Sequence, residues 1–337
     1  YAGAVAGRGE RAGDQPFLTR PLAREPWQET VDLDDLIAVL EHPVKTFLRR
    51  RLGVLLPADA EDVDDRLPLQ LDGLQQWSIG DRLLAACLAD VPVQQAIAAE
   101  WRRGEVPPRE LGRAVLSDVE QRVVPIADAA RRYTVGTAAA VDVSVDLPDG
   151  RVLTGTVPGL HGEVLVRAVY SRLAPKHRLR AWVQLLALAA GRSDQGWSAA
   201  TVGRGPTSRP TAAVSQLRSP GEVAALQRLA ELVGLADRAA REPLPMPVGA
   251  AAAWAACRAA GNGVEQAWAD ARAQWDRFEA ADAHHALVWG DSADFDRVAG
   301  VPDPTEQAWW PQEPTRLGVL ARRVWEPLLA HERTVTG

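Results

Sequence analysis

The sequence is poor in lysine, cysteine and methionine for a chain of 337 residues. Lys45 and Lys176 are the only lysines, Cys87 and Cys257 the only cysteines, and Met246 is the single methionine. The cysteines have neither CxxC nor Cys/His spacing, and we interpret them as small buried side chains in a reducing compartment. Because the first residue is not Met and the chain holds only one, we expect a piece of a longer polypeptide.

Long apolar runs and nucleotide-binding motifs are absent as well. No window approaches the roughly 18 consecutive apolar residues of a membrane span, and the start of the chain has no apolar run typical of a secretory signal. No P-loop occurs, so we expect no ATP binding by this segment itself. These absences predict a cytoplasmic protein without a membrane partner. The formal net charge of −6 excludes a polycationic nucleic-acid binder, although phosphate contacts depend on a local patch and not on the sum.

Hydrophobic periodicity predicts a mixed α/β fold. The pattern divides the chain into an irregular lead-in (1–30), a helical segment (31–132), a sheet core (133–240) and a C-terminal helical segment (241–337). In the helical segments, Ser78-Ile-Gly-Asp81 resembles a capping box and predicts a helix start. Further helices are predicted over 248–260, 263–282 and 315–331.

The sheet core is predicted to run strand, strand, strand, helix, strand, which indicates a mixed sheet. Val141, Val143 and Val145 alternate with polar residues, as expected for a strand with one buried face. The later elements are expected over 151–157 and 163–170 for strands, from Pro175 for the helix, and over 197–202 for the fourth strand.

Three stretches of the sequence point together to one family. They are His42-Pro43, Phe47, Arg51-Leu52, Leu67-Pro68 and Leu71-Asp72-Gly73-Leu74; Gly155-Thr156-Val157, Tyr170-Ser171-Arg172-Leu173 and Lys176-His177-Arg178-Leu179; and Trp289-Gly290, Trp310, Arg316, Gly318, Ala321-Arg322 and Trp325 to Leu328. In this order and at these separations, the stretches resemble the C-terminal region of RecC proteins of actinobacterial type. RecC is the gamma subunit of exodeoxyribonuclease V.

The resemblance implies a fold, a role and a set of partners. RecC proteins are non-catalytic members of the RecBCD helicase–nuclease, and their C-terminal region resembles the PD-(D/E)xK nuclease fold. The implied partners are RecB, RecD, the N-terminal part of RecC and forked or double-stranded DNA. ATP and Mg²⁺ would act in the partner subunits, so no cofactor is expected for this segment. The implied process is repair of double-strand breaks by homologous recombination.

A nuclease of this fold needs carboxylates on adjacent strands to hold Mg²⁺ and a lysine beside them. Laid on this sequence, the family's Gly-x-x-Asp falls on Gly155 with Pro158 in place of the carboxylate. Asp-x-Lys falls on 168–170, which puts Ala168 and Tyr170 in place of the charged residues, while Gln184 remains on the following helix. The sequence therefore predicts a nuclease-like domain with no catalytic residues.

Other acids keep an enzymatic alternative open. Asp142 and Asp146 share one strand face, and Glu163 opens the third strand. They are interpreted as a solvated face, and the alternative is an active Mg²⁺-dependent nuclease with relocated ligands. His284 and His285 are adjacent and would point apart, so no metal site is predicted.

A basic patch beside an aromatic residue is the candidate DNA-binding site: Arg172, Lys176, His177, Arg178 and Arg180, next to Trp182. It lies where a strand leads into a helix, so backbone N–H groups could join the side chains in holding a phosphate. The alternatives are a contact with a partner subunit and internal pairing with neighbouring acids. Trp309 and Trp310, beside a proline, are candidate partner-interface residues, with core packing and base stacking as alternatives.

Overall fold

The computed structural model describes residues 16–25, 28–56, 73–206, 209–291 and 293–336. Much of the predicted lead-in, together with Leu67-Pro68 and Leu71-Asp72, lies outside the described residues. The elements before the sheet core are β1 (Thr30–Asp32), α1 (Leu33–Glu41), α2 (Pro43–Leu52), α3 (Gly73–Leu88), α4 (Val93–Arg103) and α5 (Arg109–Arg131).

Local sequence explains where the first helices begin and end. The Asp32 carboxylate accepts the N–H of Asp35 at 2.9 Å and caps α1. His42 caps α2 through Nδ1, and Gly53 ends that helix in the left-handed conformation with φ 64°. The predicted helix start at Ser78 is wrong, because α3 already begins at Gly73 and runs through Ser78 to Leu88. Ile79, Gly80 and Leu83 instead form part of its buried face.

The middle of the chain supplies most of the sheet. Its elements are β2 (Ala139–Asp146), β3 (Val152–His161), β4 (Val164–Arg172), α6 (Pro175–Gly191), β5 (Ser198–Arg204), β6 (Ala212–Arg218) and α7 (Glu222–Ala239). The predicted order of three strands, a helix and a strand is confirmed. The predicted alternation is confirmed as well, since Val143 and Val145 are buried while Asp142 and Asp146 are exposed.

The remaining elements are α8 (Val248–Ala259), α9 (Val264–Gln274) continued by a π-helical turn (Trp275–Glu279), α10 (Ala283–Trp289), α11 (Phe295–Ala299), α12 (Pro304–Gln307), α13 (Arg316–His331) and β7 (Glu332–Thr336). The helix predicted over 263–282 is thus interrupted, and Asp282 starts a new helix instead of ending the old one. None of the helices in the described ranges has the length and hydropathy that a bilayer crossing demands.

The described strands form one mixed, seven-stranded sheet. β2, β3 and β4 form an antiparallel meander, β5 lies parallel to β4, and β6 and β7 continue antiparallel. β1 pairs parallel with β3 at residues 30–32. Because β1 and β7 lie outside the predicted core range of 133–240, the sheet draws on both flanking segments. The mixed α/β class is confirmed, and the four segment boundaries stay predictions.

Two hydrophobic clusters lie against opposite faces of this sheet. The larger one joins α1, α2, α6, α7, α8 and α13 with residues such as Val143, Leu153 and Leu165 on one face. The smaller one joins α3, α4 and α5 with Tyr170, Ala200 and Val202 on the other face. The smaller layer covers β4 to β6 and leaves the same face of β2 and β3 open to solvent.

Candidate functional site

Pro158, Ala168 and Tyr170 lie on one face of neighbouring antiparallel strands. A bulge at Gly159, which has φ 81°, separates Pro158 from the residues beyond it. Pro158 is exposed, opposite in direction to the buried Val157. Ala168 and Tyr170 point toward the helical layer of α3 to α5. The residues aligned with the catalytic positions therefore share one face of the sheet, and none of them carries an ionised group.

Tyr170 is buried beneath α3. Its side chain is 3% exposed, and a Cβ at Gly80 would lie 2.2 Å from its Cε1 atom, so this helix contact requires glycine. The guanidinium of Arg204 lies 5.1 Å from the centroid of the ring, within cation–π distance. Burial raises the pKa of the Tyr170 phenol. A neutral phenol covered by a helix thus occupies the position expected for a catalytic ammonium group.

The acids of the enzymatic alternative lie on the open half of the sheet. Asp142 and Asp146 are exposed on β2, and Glu163 is exposed in the turn between β3 and β4. The Thr156 hydroxyl donates to Asp142 Oδ1 at 2.6 Å across the two strands. Gln184, in contrast, is 3% exposed on α6 against the other face of the sheet. The expected metal-binding positions and these acids do not form one cluster in the described residues.

The predicted basic patch separates into three environments. Arg172 and Lys176 are exposed. His177 is half-buried, with Nε2 3.0 Å from the Ser171 hydroxyl. Burial, reinforced by nearby positive side chains, lowers the pKa of His177 to about 4, so the ring is neutral at pH 7.

Arg178 and Arg180 are held in ion pairs inside the fold. Arg178 donates through Nε to Glu332 Oε1 at 2.7 Å and lies 5.6 Å above the Trp325 ring. Arg180 donates through Nε and Nη2 to both oxygens of Glu41, at 2.8 and 3.0 Å. Two of the five patch residues therefore link α6 to β7 and α1, while Arg172 and Lys176 remain accessible to a ligand.

Trp309 and Trp310 are half-buried and stacked with arginines. Arg323 lies 4.3 Å and Arg238 lies 5.3 Å from the Trp309 ring, and Arg322 lies 3.9 Å from the Trp310 ring. Trp309 borders an open groove along α7 that Val223, Leu226 and Ala230 also line. The indoles are partly accessible, so their assignment to a partner interface stays a prediction.

A histidine–acid cluster that the sequence did not reveal joins α2 to α10. Asp282 Oδ2 lies 3.3 Å from His42 Nε2, and Asp282 Oδ1 lies 3.4 Å from His284 Nδ1. Burial alone would raise the pKa of the Asp282 carboxyl, but hydrogen bonds from His42 and the His285 backbone hold it below its ordinary value. These three side chains could surround a cation, since their ligand atoms lie within 4.8 Å of one another.

Hydrogen bonding gives the same cluster a structural role. His42 Nδ1 accepts the Lys45 N–H at 3.2 Å, which places the proton of the neutral ring on Nε2, facing Asp282. His285 turns away, with Nδ1 2.9 Å from the Glu279 carbonyl oxygen. The cluster thus fixes the starts of two helices, and a cation would have to displace a hydrogen bond. The expectation of no metal site stays a prediction.

Fold and site together define a mixed α/β domain whose sheet carries a tyrosine covered by α3. The family model of the RecC C-terminal domain matches residues 28–259. This match extends over more than half of the chain, which belongs to the RecC C-terminal domain family.

Three proteins similar to this chain are each named RecBCD enzyme subunit RecC. The protein of Mycobacterium tuberculosis strain H37Rv is 39% identical over 339 residues, covering 99% of this chain and 30% of the relative. That of Mycolicibacterium smegmatis is 39% identical over 334 residues, covering 98% and 30%. That of Escherichia coli K12 is 25% identical over 163 residues, covering 48% and 14%. The chain thus spans about 30% of the length of the first two relatives.

Proposed function

We propose that this domain is a non-catalytic part of a RecC-type subunit that contacts DNA and supports assembly of a helicase–nuclease. The complex would be an ATP-dependent exodeoxyribonuclease V that acts in the cytoplasm in repair of double-strand breaks by recombination. Its partners would be RecB, RecD, the remainder of RecC and forked or double-stranded DNA. The names of the relatives support the complex, since each is called a subunit of the RecBCD enzyme.

One observation carries the non-catalytic assignment. Tyr170, at the position of the catalytic lysine, is 3% exposed beneath Gly80 of α3. A phenol cannot supply the positive charge of an ammonium group, and the covering helix leaves a phosphodiester no approach to it. Pro158 and Ala168 add no carboxylate for Mg²⁺. We therefore expect ATP and Mg²⁺ to act in partner subunits, with no cofactor bound by this domain.

The catalytic assignment is tested by Mg²⁺-dependent cleavage of a labelled forked duplex by the complete subunit, purified without its partners. We expect no turnover above a no-enzyme control. Turnover that survives purification and disappears in Asp142→Ala or Asp146→Ala would establish the relocated nuclease and overturn the proposal. Ser144→Ala lies between them on the same exposed strand face and serves as the control substitution.

A protein–protein module without DNA contact is the second candidate. The pairing of Arg178 with Glu332 and of Arg180 with Glu41 favours it, because these guanidinium groups already have carboxylate partners. Half-exposed Trp309 and Trp310 also suit a partner interface. Co-purification of the partner subunits with Trp309→Ala and Trp310→Ala variants, alongside DNA affinity, separates the two functions. The second candidate would be favoured if the tryptophan variants failed to assemble with the partner subunits and the wild-type subunit bound no DNA.

A further inference from the structure

The parallel strands β4 and β5 end with two arginines side by side. Arg172 of β4 is in register with Arg204 of β5. Arg204 stacks on Tyr170 at 5.1 Å, so its side chain lies on the face that α5 covers. Arg122 of α5 lies close enough to oppose the burial-driven rise in the pKa of Tyr170 and to contribute to the lowered pKa of Arg204. The guanidinium groups of Arg122 and Arg204 thus lie beside the covered tyrosine, and Arg172 lies next to Arg204 at the C-terminal edge of these strands.

Two of these three positive charges lack a carboxylate partner. Arg122 donates to Asp118 Oδ1 at 2.8 Å. Within the described ranges, no acidic side chain forms an ion pair with Arg172 or Arg204, and the buried Nε of Arg204 has no hydrogen-bond acceptor. Burial lowers the pKa of Arg204, and the neighbouring Arg122 and Arg172 lower it further. Arg172 is exposed and Arg204 is half-buried, so an anion at the strand ends could contact both guanidinium groups.

The charge of this centre is reversed relative to a metal-binding one. Its aligned positions hold proline, alanine and a neutral phenol, and among the described residues the guanidinium groups of Arg122, Arg172 and Arg204 outnumber the carboxylate of Asp118 that acts on Arg204. Such a centre repels Mg²⁺ and attracts phosphate. Paired guanidinium groups suit phosphate oxygens in particular, because each presents several N–H donors in one plane.

We propose that Arg172 and Arg204 together bind a phosphodiester of DNA directly, without a metal ion, beside the degenerate centre. This inference rests on the proposed DNA-contacting function and assigns that contact to a site that includes Arg204. Tyr170 acts as a positioning residue, since its ring supports the Arg204 guanidinium. Arg178 and Arg180, held by Glu332 and Glu41, are not part of the site.

The test measures DNA affinity as a function of salt, using the full-length subunit in its assembled complex and a fluorescent forked duplex. The variants are Arg172→Gln, Arg204→Gln and the double substitution. Arg218→Gln is the matched control, because Arg218 is exposed at the end of β6, in register with Ser198 at the start of β5 and thus far from Arg204. Thermal unfolding checks that each variant is folded. Titrations cover roughly 50 to 200 mM salt.

The plot of log K against log salt has a negative slope, and loss of one phosphate contact reduces its magnitude by about 0.9 for duplex or about 0.7 for single-stranded DNA. We expect such a decrease for each single variant, a larger one for the double variant, and the wild-type slope for Arg218→Gln. Arg172→Lys with Arg204→Lys should retain most of the slope. Comparing duplex and single-stranded probes identifies which DNA form supplies the phosphate.

The failures of the two proposals are distinguishable. Wild-type complex that binds DNA, with an unchanged slope in a folded double variant, overturns this inference and leaves the proposed function standing. An unchanged slope together with loss of a partner subunit would reassign the arginines to a protein carboxylate. If the wild-type complex did not bind the forked duplex, the proposed DNA contact itself would be overturned.

Discussion

Two halves of the same sheet face differ in what lies on them. Over β4 to β6, the helices α3 to α5 form a second hydrophobic cluster, and Tyr170 is 3% exposed within it. Over β2 and β3 no such layer is present in the described residues, and Asp142, Ser144 and Thr156 face solvent. Among the described residues, Asp142 and Asp146 lie on the open half, whereas Tyr170 and Arg204 lie on the half that α3 to α5 cover. This separation is the structural basis of the proposed non-catalytic role.

A lysine substitution on each half of the sheet should give the largest difference in the free energy of unfolding. Tyr170→Lys buries an ammonium group beside Arg204, and we expect it to lower the free energy of unfolding by more than about 4 kcal/mol. Thr156→Lys, on the open half beside Asp142, should change it by no more than about 0.5 kcal/mol. Urea unfolding followed by tryptophan fluorescence measures both. Equal stability of the two variants would show that the covering layer is not closed over Tyr170.

The contact between α3 and Tyr170 can be tested with a single methyl group. Gly80→Ala places a Cβ 2.2 Å from the Tyr170 ring, and overpacking of this kind costs about 1–3 kcal/mol. Gly73→Ala is the matched control, since it lies in the same helix and no atom of the described residues lies within 4 Å of the added Cβ. It should be neutral or stabilise by up to about 1 kcal/mol. If both substitutions were neutral in chemical denaturation, α3 would not rest on the tyrosine.

The burial of the Tyr170 phenol should also make the free energy of unfolding depend on pH in the alkaline range. Burial raises the pKa of the Tyr170 phenol above 10.0 in the folded state. The unfolded chain therefore loses this proton first, so the stabilisation is complete below pH 10.0 and is lost as pH rises through the folded pKa. Subtracting the unfolding free energies of Tyr170→Phe from those of the wild type, between about pH 8 and pH 11, isolates this contribution. A difference independent of pH would mean that the hydroxyl is in contact with water.

The smallest effect is expected on the open half. Asp142→Asn keeps an oxygen that can accept from the Thr156 hydroxyl and removes an exposed charge. We expect a change in unfolding free energy within about 0.5 kcal/mol and no change in Mg²⁺-dependent cleavage by the complex. Loss of cleavage with unchanged subunit assembly would instead assign this carboxylate to catalysis.

Sequence periodicity predicted the parts of the sheet whose two faces differ. β2 alternates valine with polar residues because one face is buried and the other solvated, and its position was confirmed. β6 was not predicted, since Ala212, Ala213 and Val214 are buried in succession between two layers and show no alternation. β7 was missed for another reason: its mostly exposed, polar sequence forms a strand only because β6 offers a free edge.

The candidate site was predictable only for residues that could be identified from their order and spacing in the sequence. Pro158, Ala168 and Tyr170 could be aligned in sequence, but their common face depends on the pairing of β3 with β4. Arg204 could not be foreseen, because its place beside Arg172 depends on the parallel register of β4 and β5. The pairing of Arg178 with Glu332, residues 154 apart in sequence, likewise requires the folded sheet. Contacts between distant segments carry no local signal.

The closing strand β7 has a practical consequence for handling the protein. Residues 332–336 hydrogen-bond to β6, and Glu332 accepts from both Arg178 and Ser215. Deletion of residues 332–336 would remove the Glu332 carboxylate that pairs with Arg178 and would expose the backbone of β6 along its edge. A bare strand edge recruits other chains, so we expect a protein that lacks β7 to aggregate.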